Sequence, residues 1–384
     1  MLVSDLHGPL VSVVIPCLNE AMHLDSLLDA IRAQDVAIHE VIVVDNGSSD
    51  DSQAIVERYR QRQPSLPLLT LTCSIPGAAA AMNVGIRAAT GDIIVRLDGH
   101  CAPYPNYIGQ AVAELLQQGD VGVVGGVWET VPGRETLVGR AIAGVLAHGL
   151  ATGGAAYRRS ADVGPPHDVE TVPFGCYRKA LWQELGGYNE FLPISEDYLF
   201  NYRTRRAGYR VVLAPAIRCR YFARGTLAQL ASQYFHYGWG KAEMLKTYPG
   251  SVRWRQIVPG GFTASLVTLT AAGFFAPPAR RALGALLVTY ASVLLMASLE
   301  LAWPKKAWRI VPAYVAAFCV VQLAWGAGAC VNIATFGRWP RWGPSQSRLV
   351  PHRPNQDFDS AHRLGVRPSR PLVEEPRRDS RRDY

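Results

Sequence analysis

A chain of 384 residues, 49% of them hydrophobic and 18% charged, can bury a large core and is expected to hold more than one structural unit. Its formal charge of +8 is concentrated at one end: from Arg338 onward there are 11 Arg against 6 acidic residues, a net +5, and without a recognisable nucleic-acid-binding motif such a run beside apolar segments reads better as facing anionic lipid than nucleic acid. Seven scattered cysteines without a C-x-x-C pair exclude a disulfide framework and fit a reducing compartment, and "MLVSDLHGPLVSVVIP" lacks the basic start of a secretion signal.

In chain order, "VSVVIPCLNE" is an apolar strand ending in turn residues, followed by Leu24, Leu27, Leu28 and Ile31 at helical spacing. "EVIVVDNGSSDDS" repeats strand and polar loop before a helix marked by Ile55, Val56 and Tyr59, and "GAAAAMNVGIRAATGDIIVRLDGH" gives helix then strand. The alternation predicts an α/β domain, a mixed but mostly parallel sheet with flanking helices. Ligands of such sheets collect beyond the carboxyl ends of the strands. Those ends carry Asn19 with Glu20, Asp45, and Asp98 with His100, where Gly99 permits a tight turn. Neither G-x-G-x-x-G nor G-x-x-x-x-G-K-[ST] follows a strand, so the phosphates of a bound nucleotide need a cation from elsewhere.

Further on, "VGVVGGVWET" reads as a strand and "GRAIAGVLAHGLATGGAAYRR" as a small-residue helix and a Gly-rich loop. "VPFGCYRKALWQELGGYNE" reads as a turn, a helix with a Gly-Gly stop, and "SEDYLFNYRTRRAGYRVVLAP" as a helix then a strand. Ser195 is placed as N-cap, with Glu196 and Asp197 in the first helical turn. Three apolar segments follow, Gln256 to Ala279, Ala282 to Leu299 and Ile310 to Gly337, each long enough for a bilayer. Three spans would export the basic tail, against the positive-inside tendency. Either one segment is re-entrant or interfacial, the first with its "VPGG" being the candidate, or the tendency fails here.

Taken in order, "VSVVIPCLNE", "EVIVVDNGSSDDS", "AAMNVGIRAATGDIIVRLDGH", "FGCYRKALWQELGGYNE" and "SEDYLFNYRTRRAGY" resemble the motifs of glycosyltransferase family 2, over about residues 10 to 245, and within it the membrane-attached transferases of the succinoglycan-biosynthesis type. The resemblance implies a GT-A fold, here over residues 1–250, while hydropathy and charge set a membrane domain of two to three hydrophobic segments over 251–337 and a disordered, basic cytoplasmic tail over 338–384. It further implies a multi-pass protein of the cell (inner) membrane with its catalytic domain in the cytoplasm. Pro16, Asn19, Glu20, Asp45, Asn83 and Asp98 then bind the nucleotide sugar. Asp98 and His100 take the place of the family's Asp-x-Asp metal motif, with Mg²⁺ or Mn²⁺ bridging the diphosphate; imidazole suits Mn²⁺ better. A zinc site at His100 and Cys101 lacks a second ligand pair of suitable spacing.

Asp197 corresponds to the base that deprotonates the acceptor hydroxyl, and a single base opposite the leaving group gives inversion. "QYFHYGWG" resembles the family's Gln-x-x-Arg-Trp region with His236 for Arg and Tyr237 for Trp, which favours single-sugar addition over processive synthesis. Glu196, Gln233 and His236 are the candidate acceptor or phosphate contacts. The implied partners are a nucleotide diphosphate sugar, a lipid-linked saccharide acceptor and the membrane. Plainer roles stand beside these: Asp45 as a turn residue, His100 as a polar loop residue, Glu196 and Asp197 as partners of a helix dipole, Tyr234 to Trp239 as a membrane-surface aromatic cluster. Two other readings of the whole chain are a polyprenyl-phosphate sugar synthase and a non-catalytic membrane scaffold.

Overall fold

The computed structural model describes residues 8–158, 164–192 and 194–335. The expected tail over 338–384 lies outside them. Among the described residues nine strands form one sheet: β1 (Val11–Cys17), β2 (Glu40–Asp45), β3 (Leu68–Thr72), β4 (Ile93–Arg96), β5 (Cys101–Pro103), β6 (Val121–Val131), β7 (His167–Asp168), β8 (Cys176–Arg178) and β9 (Arg210–Phe222). The order is β3-β2-β1-β4-β8-β6-β9-β5, with β7 on the flank of β9. The first four strands pair in parallel, and β8 lies antiparallel between β4 and β6. Residues of β8 fall in "FGCYR", where the sequence predicts a turn; three residues are too short for any periodicity to show.

The helices of this domain are α1 (Leu24–Arg32), α2 (Ser52–Arg62), α3 (Ala78–Ala88), α4 (Tyr107–Gln117), α5 (Leu137–Ala147), α6 (Gly149–Thr152), α7 (Lys179–Glu184), α8 (Glu196–Arg206) and α9 (Leu227–Thr247). The sheet is covered on both faces, because alternate residues of β1 and β2 point to opposite cores. Val13, Ile15, Val41 and Val43 join Leu24, Leu27, Leu28 and Ile31 of α1 in one core. Val14, Ile42 and Val44 meet Ile86 of α3, Leu181 and Trp182 of α7 and Phe200 of α8 in the other. The four apolar residues of α1 are fully buried, each stabilising by about 2 kcal/mol, and this fixes the helix beneath the loop that carries Asn19 and Glu20.

Three helices follow: α10 (Val258–Gly273), α11 (Pro277–Ala302) and α12 (Val311–Ala334). The first apolar segment of the sequence is therefore divided. Its helix α10 has 16 residues, about 24 Å at the helical rise and short of a bilayer core. Two stretches, Pro277–Ala302 and Trp308–Ala334, are long and apolar enough to cross one. The outer surface of α10 and α11 is apolar and exposed, with Phe274 and Phe275 at the turn between them 77% and 90% accessible. In contrast, α12 is clamped to the sheet domain. A Cβ built on Gly238 of α9 would lie 1.9 Å from the carbonyl oxygen of Trp325, and one on Gly328 of α12 lies as close to that of Phe235. Only glycine allows two helix backbones to approach so closely. Polar contacts reinforce the seam: Lys246 donates to Asn332 Oδ1 at 2.6 Å and Gln322 donates to the Leu150 carbonyl at 3.3 Å.

Candidate active site

The strand-end residues meet through a continuous run of contacts. Asp45 closes β2 and accepts the backbone N–H groups of Gly47 and Ser48 at 3.2 and 3.3 Å and Gln53 Nε2 at 2.6 Å. It is buried and organises its own turn, as the "DNGSSD" composition allows. The Ser48 hydroxyl in turn accepts the backbone N–H of Asn19 at 3.0 Å, and Asn19 Oδ1 accepts that of Ser49 at 2.8 Å. Asn19 sits in the left-handed region at φ 57°, a conformation Asn tolerates better than most residues. Pro16, aligned with Val44, lies on the same strand end.

Glu20 carries the chain onward to His100, whose Nδ1 lies 2.8 Å from Glu20 Oε1. Gly99 lies in a turn, as expected, though without a positive φ. Its missing side chain makes room for Glu20: a Cβ there would stand 2.5 Å from Glu20 Cγ. Burial lowers the His100 pKa, but the hydrogen bond to Glu20 and the nearby anionic groups outweigh it, and the pKa rises to about 9. The His100 ring then meets the edge of Tyr221 at 5.2 Å between centroids, and the Tyr221 hydroxyl accepts Gln233 Nε2 at 3.2 Å. Gln233 also donates to Tyr237 at 3.1 Å. Thus α9 reaches the site through Gln233. His236 is half-buried and set edge-on to Phe235.

Arg96 makes the decisive junction. Two residues before Asp98 and on the same side of the strand end, it donates Nε–H to Asp98 Oδ1 at 2.9 Å and Nη2–H to Glu196 Oε1 at 2.8 Å. One buried guanidinium therefore ties the Asp98–His100 loop to the first turn of α8. Burial pushes the Glu196 carboxyl above its usual range despite Arg96. Its neighbour Asp197 is partly exposed, accepts the backbone N–H of Tyr198 at 2.7 Å and lines a small cavity with Arg96, Tyr177 and Tyr188. Ser195 stands at the N-cap position, but in the left-handed region at φ 70° and without the expected side-chain cap bond.

Asn83 is placed differently from the rest. Its amide donates to the Tyr188 carbonyl and Glu190 and accepts from Trp182 Nε1 and the Tyr188 N–H. All its bonding capacity is used in tying α3 to the 182–190 segment. Sequence reading passed over Arg96, Lys241, Trp128 and Arg158. Lys241 of α9 is buried 3.1 Å from the centroid of Tyr198, and burial lowers its pKa to about 7 against the pull of Asp197 and Glu170. Arg96 was legible, being two residues from Asp98; Trp128 and Lys241 lie in or beside stretches that were read, but neither their spacing nor that of Arg158 marks them as site residues.

For a metal, the donor set suits a hard divalent ion shared with a diphosphate. Asp98 offers carboxylate oxygen, and Glu20 holds His100 at Nδ1, so His100 Nε2 would serve as a ligand once a bound cation displaces the proton that the raised pKa retains. Among the described residues no cluster of three His, Cys, Asp or Glu side chains is assembled, so any ion held here would draw its remaining ligands from substrate oxygens and water.

A sheet of this topology with acidic loops at its strand ends is the architecture of a nucleotide-sugar glycosyltransferase of the GT-A type. The solved structure of the mannosyltransferase PcManGT from Pyrobaculum calidifontis, in complex with GDP-Man and Mn2+, shares this fold with a TM-score of 0.54 at 24% identity, over 83% of this chain and 88% of that one. The family model for Glycosyl transferase family 2 matches residues 12–162. The succinoglycan biosynthesis protein ExoA of Rhizobium meliloti is 31% identical over 248 residues, 64% of this chain and 73% of that protein. Glycosyltransferase AglE of Haloferax volcanii is 36% identical over 120 residues, 31% of this chain and 39% of that protein. The chain belongs to glycosyl transferase family 2.

Proposed function

We propose that this enzyme inverts configuration while moving a hexose from a nucleotide diphosphate sugar, a uridine diphosphate sugar being the first choice, to a lipid-linked saccharide in exopolysaccharide or cell-surface glycan assembly. The observation that carries it is the Arg96 bridge between Asp98 and Glu196, with Asp197, the next residue, lining the same small cavity as Arg96. Pro16, Asn19, Glu20 and Asp45 line the nucleoside pocket, Glu20 acting also as the orienting partner of His100. Asn83 works from behind the site as a strut for the 182–190 segment.

Asp98 and His100 hold the divalent ion, Mg²⁺ or Mn²⁺, which when bound neutralises charge on the leaving diphosphate. Asp197 takes the proton of the acceptor hydroxyl as its oxygen forms the new bond to the anomeric carbon; the bond from that carbon to the diphosphate breaks on the opposite side. Glu196 is committed to Arg96, so the base is the neighbour with an open carboxylate. Gln233 and His236 border the acceptor side on α9.

Attachment to the cell membrane with the catalytic domain in the cytoplasm suits a lipid-linked acceptor, since confinement to one surface raises effective concentration. The long apolar helices, the exposed Phe274 and Phe275, and Trp254 and Trp303 at 78% and 71% accessibility support it. The test incubates the full-length protein in membranes with labelled nucleotide sugars and lipid acceptors. Transfer that stops in chelator, returns with Mn²⁺ and gives an inverted linkage is expected. Transfer undiminished by chelator, or a retained configuration, contradicts the proposal.

A further inference from the structure

A second cluster, absent from the family's acidic motifs, lies on the far side of Tyr221. Tyr221 stacks face to face on Trp128 of β6 at 4.1 Å, and Tyr157, from the single turn Ala156–Arg158, meets Trp128 edge-on at 5.1 Å. Within this aromatic box sits Arg158, its guanidinium carbon 4.8 Å from the Trp128 ring centre, 5.3 Å from Tyr221 and 5.6 Å from Tyr157. Arg158 is 5% exposed. Among the described residues no carboxylate pairs with it. Three buried polar atoms of the cluster lack a hydrogen-bond partner: Arg158 Nη1, Trp128 Nε1 and Gln233 Oε1.

A buried guanidinium without an anion is costly, and cation–π contacts of about 0.5–2 kcal/mol each offset only part of the desolvation. Two orphan donors, one of them cationic, ask for an anionic acceptor. Tyr221 also meets His100 at 5.2 Å between ring centroids, so the box borders the loop proposed to hold the metal. The strand ends themselves carry no Gly-rich phosphate loop. Resting on the reading of the donor given above, we propose that Arg158, with the Trp128 indole N–H, is the protein's own anion site for the diphosphate of the nucleotide sugar and takes up charge as that diphosphate leaves.

The experiment measures binding of uridine and guanosine diphosphates, the matching nucleosides and farnesyl phosphate to the full-length, detergent-solubilised protein in Mn²⁺. Wild type, Arg158→Met, which keeps volume and drops charge, and Arg158→Lys are compared. R158M is expected to weaken binding of the preferred diphosphate by about tenfold or more, with R158K between, while nucleoside binding moves by less than about twofold. The melting temperature of R158M is expected to equal or exceed that of wild type, because an unpaired buried cation has been removed. A fall of more than about 5 °C marks a structural residue and overturns the proposal. So does diphosphate affinity in R158M within about twofold of wild type, or a loss confined to farnesyl phosphate, which assigns the cation to a lipid phosphate. A wild-type protein that binds nucleoside and diphosphate alike fails at the earlier step and removes the reading of the donor together with the anion site.

Discussion

At the scale of single residues, Arg96 decides whether the site exists. It neutralises Asp98 and Glu196 together, both side chains being largely withdrawn from water. Replacing it by methionine leaves two carboxylates close together without their cation, a loss of about 3–5 kcal/mol. Urea denaturation of Arg96→Met should show this as a lowered midpoint with unchanged slope; a stability within about 1 kcal/mol of wild type means the bridge is not formed. Lys241 gives a pH signature of the same neighbourhood. Its folded pKa, about 7, lies below its ordinary value of 10.5. Between those values the unfolded chain binds more protons than the folded one, so this lysine makes stability rise from about pH 7 toward 10.5, with its full penalty present below 7. Melting temperatures of Lys241→Met across that range should lack this rise, whereas parallel curves for variant and wild type contradict the burial of a poorly solvated amine.

At the scale of elements, the helix seam between α9 and α12 links a long apolar helix to the helix that borders the candidate site. The helix that carries Gln233 is the one against which Gly328 packs. Gly328→Ala forces a Cβ into the Phe235 carbonyl, separates the helices and costs about 1–3 kcal/mol. Reduced thermal stability together with reduced transfer is expected; a variant equal to wild type in both means that α12 is not seated on α9. The strands and helices that were legible each carry a continuous apolar run or a helical period, as in Val41 to Val44 or Leu24 to Ile31, whereas the short β5 and β7 carry neither. The strand β8 was not legible either, having three residues, nor was the break at 274–276 that shortens α10, since apolar residues continue through it. The acidic residues could be read as candidates from their strand-end positions, yet their mutual contacts could not. Arg158 was illegible for a further reason: its box is assembled from β6, β9 and one isolated turn, far apart in sequence and sharing no pattern.

At the scale of the whole molecule, a sheet that ends in acidic loops, a helix that borders those loops, and apolar helices fastened to that helix form the arrangement that the proposed function uses to bring a soluble donor to an acceptor held at a membrane. The arrangement works only if Asp197 stands where a hydroxyl can give up its proton to it. The most direct measurement compares purified wild type and Asp197→Asn for donor binding and for single-turnover transfer at saturating donor. Donor affinity within about threefold of wild type with transfer reduced by about 10²–10⁴-fold is the predicted result. Transfer at the wild-type rate in the variant contradicts the assignment.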